Sequence, residues 1–490
     1  MITKRIRKGR ELPIGVKATF WFLLCSFLQK GISVLSTPIF TRLLTTAEYG
    51  QYNIFYSWMN ILTVFVTLNL YSGVYMQGII KFEEQRDEFT SSLMGLMTTL
   101  TLAWIVMYCA FHEFWNQILS LTNIQMFSML IMLWTTGIFN FWSMEQRVDL
   151  NYKPLVSVTL FVSLAKPLLG IVLVMHSTDK VTARIVGLLL VEIMSYTWMY
   201  VKQMRKGGKF FSWNFWVYAA RFNLPLIPHY LSLNILSGAD RIMIGKMIGK
   251  SEAGIYGLAY SVSQIMTLFN VALLRTVEPW LYKKIKLKEI REMERIVYPL
   301  FVAVALLNLL LIALAPEIVS IFAPYEYRNA IWIIPPVAMS VYFMFAYSFF
   351  AAFEFYYEKT RYIAVATILG AILNIILNYV FMDIFGYYAA GYTTLICYMV
   401  YAGFHYYFMK KICRLNLNGQ GYKTKMILGI TFLFMLGGFG LLLTYNHLFI
   451  RYGVLGLGII FFARKYPTIR SFLKTILEIR EKEAEHNMEG

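Results

Sequence analysis

Glu48-Tyr-Gly-Gln-Tyr-Asn-Ile-Phe-Tyr-Ser-Trp-Met-Asn-Ile-Leu-Thr-Val-Phe65 returns, without a gap, as Glu252-Ala-Gly-Ile-Tyr-Gly-Leu-Ala-Tyr-Ser-Val-Ser-Gln-Ile-Met-Thr-Leu-Phe269. Eight of the eighteen positions are identical: Glu48/Glu252, Gly50/Gly254, Tyr52/Tyr256, Tyr56/Tyr260, Ser57/Ser261, Ile61/Ile265, Thr63/Thr267 and Phe65/Phe269. Chance gives roughly one or two, so the chain is internally duplicated. Each copy opens a long apolar segment. Two halves of a membrane chain that rock against each other around a central site form a transporter.

Composition agrees. The chain has 490 residues, 58% of them apolar and only 15% charged. Apolar stretches of about 20 residues, enough for a helix to cross a bilayer, recur from end to end. The spacing predicts an all-α chain of about fourteen spans: 16–38, 50–79, 90–111, 117–143, 154–175, 182–201, 222–245, 254–280, 296–315, 328–353, 361–382, 387–409, 426–445 and 447–463. The basic start precedes a run too long for a signal peptide, so the first span is read as retained.

The net charge of +18 does not point to nucleic acid. Both chain ends and the connections after even-numbered spans hold 34 of the 45 Lys and Arg; those after odd-numbered spans hold eight, and three lie inside spans. That is the positive-inside pattern, with both termini cytoplasmic and basic clusters such as Lys4–Arg10 and Lys283–Lys288 beside anionic lipid. The four cysteines and six histidines are dispersed, with no metal-ligand spacing, and no cofactor is expected.

The organisation expected is 1–209 as a first six-helix bundle, 210–415 as a second, 416–463 as two added spans and 464–490 as a cytoplasmic tail. Six spans per repeat is an even number, so the repeats share one orientation and their axis lies along the membrane normal. Glu48-x-Gly-x-Tyr52 and Glu252-x-Gly-x-Tyr256 read as equivalent outer turns. Leu224-Pro-Leu-Ile-Pro228 and Ile334-Pro-Pro336 are expected to break or kink the seventh and tenth spans.

Ionisable residues at membrane depth are costly unless they face water or a partner. Lys30 lies mid-way along the first span, Lys166 along the fifth and Glu192 along the sixth; Asp240-Arg241 lies in the outer part of the seventh. Arg42 and Lys246 occupy matching repeat positions, and Arg275 and Glu278 are spaced i,i+3 near the inner end of the eighth span. Lys30, Lys166, Arg241, Arg42 and Arg275 are the candidates for a cationic cavity, and Glu192 and Asp240 for ion coupling. Local pairing, snorkelling and a structural Lys166–Glu192 pair are the alternatives. Asn374 and Asn378, at i,i+4, read as interhelical glue. Shifted by the repeat, Lys30 falls on Asn234 and Arg241 on Thr37, so the deep cations are not shared. Asymmetric charge suggests a task beyond fold maintenance. A net cationic cavity implies an anionic cargo group such as a diphosphate.

Three segments then carry a family resemblance: Thr37-Pro-Ile-Phe-Thr-Arg-Leu-Leu-Thr-Thr-Ala-Glu-Tyr-Gly-Gln-Tyr52, Leu224–Pro228 with Gly238-Ala-Asp-Arg-Ile-Met-Ile-Gly245, and Ala315-Pro-Glu-Ile-Val-Ser-Ile-Phe-Ala-Pro-Tyr-Glu-Tyr327. In their order, they resemble the polysaccharide-unit flippases of the multidrug/oligosaccharidyl-lipid/polysaccharide exporter superfamily. The resemblance implies a V-shaped pair of six-helix bundles around a cationic cavity. It also implies alternating access that moves a polyprenyl-diphosphate-linked oligosaccharide from the inner to the outer leaflet of a bacterial plasma membrane. The implied partners are the lipid-linked substrate, membrane lipids, and a proton, sodium ion or membrane potential, with glycan polymerase or assembly proteins downstream. The last two spans would form a groove for the lipid tail, as in related lipid II flippases. The alternative is a multidrug or organic-cation antiporter of the same superfamily. It would need a carboxylate deep in the first half; the first span carries Lys30 and no acid, and Glu192 is the only deep mid-span acid of that half. A glycan-assembly enzyme would need an extended outer loop and a clustered acid/base set; neither is present, and the chain reads as no enzyme.

Overall fold

The computed structural model describes residues 14–458 together with Ile460 and Arg464; the amino-terminal basic cluster and the expected tail lie outside these residues. The chain forms α1 (Ile14–Leu43), α2 (Thr46–Val66), α3 (Gly73–Lys81), α4 (Arg86–Ala110), α5 (His112–Leu119), α6 (Asn123–Val148), α7 (Tyr152–Met175), α8 (Lys180–Gly207) and α9 (Trp213–Asn223). Then come α10 (Ile227–Met247), α11 (Lys250–Ser263), α12 (Ile265–Leu287), α13 (Ile290–Ala313), α14 (Ala315–Phe322), α15 (Ile334–Tyr356), α16 (Thr360–Phe385), α17 (Ala389–Asn416) and α18 (Thr424–Leu443). A short apolar helix, α19 (Leu448–Gly458), follows. No strand occurs among the described residues.

Ten helical segments among the described residues are long and apolar enough to cross a membrane, one of them (361–416) containing two expected spans. Helices α2 and α10 are excluded by polar residues such as Asn53 and Asn60, or Asn234, Asp240 and Arg241. The duplication reaches well beyond eighteen residues. Helices α2 and α11 start at Thr46 and Lys250, and α4 and α13 at Arg86 and Ile290, each pair 204 positions apart. Even the short helices after α4 and α13 correspond. Lipid-facing stripes repeat as well. Phe161, Leu164, Leu168 and Val172 on α7 are exposed, as are Leu369, Ile372, Ile376 and Val380 on α16. Spacings of three and four put each set on one helical face, whose natural solvent is hydrocarbon.

Two compact units form, one from 1–35 and 65–224, the other from 36–64 and 225–490. These bounds differ from the sequence division, which kept 36–64 with the first half. The first unit centres on Tyr75, Phe89, Phe141 and Phe215, with Tyr75 edge-on to Phe141 at 4.7 Å. In the second, Phe301 of α13 packs against Tyr342, Phe345 and Phe349 of α15, and Phe434 of α18 covers Tyr342 at 4.5 Å.

The repeated glycines explain the 36–64 assignment. They lie inside helices, not in turns. A Cβ on Gly50 would sit 1.8 Å from the Lys250 carbonyl oxygen, and one on Gly254 would sit 2.1 Å from that of Thr46. Thr46 and Lys250 are themselves repeat equivalents, so α2 and α11 cross backbone to backbone in a reciprocal contact. Thr46 also donates to Ser251 at 3.2 Å. Only glycine permits helices this close. The prolines divide differently from expectation. Leu224–Leu226 is a 3-10 turn that breaks α9 from α10, as expected. Pro335 and Pro336 instead occupy the first turn of α15, where the missing N–H costs nothing, and they start the helix without kinking it.

Gly50→Ala and Gly254→Ala will each destabilise the protein by about 1–3 kcal/mol through overpacking, whereas Gly31→Ala, with nothing within 4 Å of the new methyl, will not. Thermal unfolding in detergent checks this; equal melting temperatures for all three variants would remove the crossing as a constraint.

Candidate functional site

In the first unit a buried carboxylate ties three helices together. Glu192 on α8 accepts from Lys166 Nζ of α7 at 2.6 Å and from Thr135 Oγ1 of α6 at 2.5 Å, with Thr136 at 3.3 Å. The Glu192 side chain is 2% exposed and that of Lys166 23%. Burial of either charge alone would be costly, so each holds the other. Lys30 stands apart, exposed on α1. Its neighbour Gln29 borders a cavity of about 40 Å³ shared with Cys25, Ser26, Ser143, Arg147 and Thr159. The Arg147 guanidinium lies 5.1 Å from the Phe22 ring centre. Sequence reading took Arg147 only as a topology charge; its spatial neighbours on α1 are far away in sequence and left no local signal.

The second unit holds a deeper cluster. Asp240 of α10 is 0% exposed. Its carboxylate accepts from Tyr256 of α11 at 2.7 Å, Asn378 of α16 at 2.5 Å and Thr394 of α17 at 2.9 Å. Asn378 also donates to Asn374 and accepts from Thr393, so the asparagine stripe is interhelical glue. The hydrogen-bond donors to Asp240 found among the described residues are neutral.

Arg241 points elsewhere. Its guanidinium carbon lies 3.9 Å from the Tyr260 ring centre, a close cation–π contact, and Nη1 reaches Ser57 of α2 at 3.4 Å. Its Nη2 is buried with no hydrogen-bond partner among the described residues. Nearby positions on α10 also face α2: Asn234 donates to the Asn60 carbonyl at 2.6 Å, and Lys246 lies 5.6 Å from the Trp58 ring centre. Tyr256 and Tyr260 belong to the repeat and were read as fold markers; the structure places them on Asp240 and Arg241.

The remaining candidates are dispersed. Arg42 donates to the carbonyls of Pro38 at 2.8 Å and Ile321 at 2.9 Å, tying the end of α1 to that of α14. Arg275 is exposed on α12, and Glu278 accepts from Tyr282 at 3.0 Å.

The fold is shared with solved membrane transporters. The lipid II flippase MurJ in an inward closed conformation shares the fold with a TM-score of 0.59 and 14% identity, over 88% of this chain and 99% of that one. An inward-facing MATE-family multidrug resistance transporter shares it with a TM-score of 0.57 and 14% identity, over 79% and 95%. The chain belongs to the polysaccharide biosynthesis protein family, which it matches over residues 16–284. An uncharacterized membrane protein of Haemophilus influenzae is 24% identical over 219 residues, 40% of this chain and 50% of its own. The chain thus spans about half the length of the curated relatives it matches.

Glu192→Gln will take the carboxylate away from Lys166 and cost about 1–3 kcal/mol, below the roughly 3–5 of a fully buried pair because Lys166 keeps some solvent. Adding Lys166→Met will restore most of the loss. A double-mutant cycle on thermal stability checks the coupling; additive effects would separate the two residues.

Proposed function

We propose that the protein is a flippase that carries a polyprenyl-diphosphate-linked oligosaccharide from the inner to the outer leaflet, for cell-surface polysaccharide assembly. Family membership supports the pathway, and one observation carries the chemistry: the Arg241 guanidinium is fixed on Tyr260 with a buried Nη2 that has no hydrogen-bond partner among the described residues. A diphosphate oxygen is the acceptor such a group suits. Arginine keeps its charge throughout the cycle, so binding does not depend on protonation.

In this reading Arg241 and Lys30 are the principal cargo cations, and Arg275 and Lys166 supplement them. Lys166 joins when its bond to Glu192 loosens. Arg42, held by two backbone carbonyls, positions α1 and α14. Asp240 and Glu192 are the candidates within this site for holding a coupling ion, a proton or sodium. The protein resides in a bacterial plasma membrane with both termini cytoplasmic, so the membrane potential acts on whatever charge it moves. Glycan polymerase or assembly proteins receive the product. A hydrophilic diphosphate glycan cannot cross hydrocarbon unaided, and alternating access offsets its charge on both sides. The multidrug-antiporter reading is weaker, because the deep acid of the first unit is already occupied by Lys166.

In sealed vesicles at matched expression, Arg241→Gln will slow flipping of a polyprenyl-diphosphate oligosaccharide by about tenfold or more, the ~1.5–3 kcal/mol of a charge-assisted hydrogen bond. Arg42→Gln will lower the amount of folded protein more than the rate per molecule. Unchanged flipping in Arg241→Gln would remove it from the cargo path, and native protein that moves only organic cations would overturn the function.

A further inference from the structure

One buried titratable pair plays no part in the cationic site. Glu354 near the end of α15 and His405 on α17 are both 0% exposed, with Nδ1 of His405 2.8 Å from Oε1 of Glu354. Glu354 Oε2 and His405 Nε2 are buried with no hydrogen-bond partner. A structural ion pair needs those remaining positions satisfied; here they are vacant.

Aromatic and hydroxyl side chains surround the pair. Tyr347 of α15 stacks on the imidazole at 5.4 Å, and Tyr401 of α17 meets it edge-on at 4.6 Å. From α16, Thr367 faces Tyr401 at 3.4 Å. Tyr422, which precedes α18, packs on Phe353 of α15. On α13, Glu294 is engaged by Tyr298 and Lys423. Among the described residues, His405 is the titratable side chain that contacts the Glu354 carboxyl. From α12, Glu278 borders a cavity of about 150 Å³ whose wall includes Tyr347. One ring therefore touches both the cavity and the imidazole.

The repeat provides an internal comparison. Glu145 on α6 lies 209 positions before Glu354, and its partner is Lys206 of α8, at 3.5 Å. A hydrogen bond to Asp87 holds the Lys206 ammonium above its usual pKa, so that partner stays charged. The second unit has a histidine from the matching helix. Lysine fixes the charge of the first pair; histidine leaves that of the second to the proton.

We propose that Glu354 and His405 form a proton-binding site, loaded and emptied through the cavity beside Tyr347, whose occupancy makes the transport cycle respond to a proton gradient in addition to any ion held at Asp240 or Glu192. With one exchangeable proton the pair is neutral overall, whether the proton sits on carboxyl or imidazole. Without it, a buried net negative charge remains. The low-dielectric surroundings therefore favour one bound proton, and hydration of the cavity permits its release. The coupling part rests on the transporter reading; the proton-binding part does not.

The test begins without substrate. Infrared difference spectra of the purified full chain in nanodiscs, recorded across about pH 5–9, will show carboxyl and imidazole signals that titrate together. Glu354→Gln will remove the carboxyl signal, and His405→Asn the imidazole signal; two variants guard against one failing to fold. Titration signals unchanged by both substitutions would overturn the site. Next, flipping of a polyprenyl-diphosphate oligosaccharide is measured with and without an imposed proton gradient. The gradient will accelerate native protein, and Glu354→Gln will lose most of that acceleration while retaining flipping without the gradient. A native titration with no gradient response would overturn the coupling, and absence of flipping in native protein would overturn the proposed function and leave the proton site standing.

Discussion

A charge in hydrocarbon must have a partner, and the deep part of this structure is arranged around that requirement. Glu192 and Asp240 meet it differently. Glu192 takes a lysine cation and two threonines, whereas Asp240 takes only neutral donors from three other helices. A carboxylate matched by a cation is settled electrostatically. One matched by dipoles alone retains an affinity for a positive ion. The two units therefore differ in electrostatic character although their helices repeat at a near-constant spacing.

Repetition supplies the scaffold, and departures from it supply the chemistry. Gly50 and Gly254 make the same backbone contact in both directions, a role that demands identical residues. The tyrosines of the repeat were retained in kind but serve the side chains brought to them: Tyr256 donates to Asp240, and Tyr260 supports Arg241. Neither Asp240 nor Arg241 has a counterpart of its type in the first copy, where 204 positions earlier the chain has Ser36 and Thr37. A duplicated framework with unshared charges suits a protein whose halves must move alike yet bind one asymmetric molecule.

Much of the fold was legible in the sequence, because length and hydropathy of a membrane helix are one-dimensional properties. The helices appear in the expected order, and the proline break at Leu224–Leu226 falls where it was placed. The glycine role was misread as turn geometry because the reason for Gly50 is a carbonyl two hundred residues away. Pro335-Pro336 was read as a kink because its position relative to the helix start was not evident. At the site, the deep ionisable residues were visible individually. Their partners were not, since Thr394, Tyr260 and His405 look ordinary until folding brings them to Asp240, Arg241 and Glu354.

The most direct test is equilibrium binding to the purified protein of one oligosaccharide carried on two lipids, a polyprenyl diphosphate and an uncharged polyprenyl analogue. A cationic site built on Arg241 predicts that the diphosphate form binds about tenfold more tightly or better, and that the preference vanishes in Arg241→Gln. Equal affinity for both lipids in the native protein would contradict a diphosphate-recognising cavity.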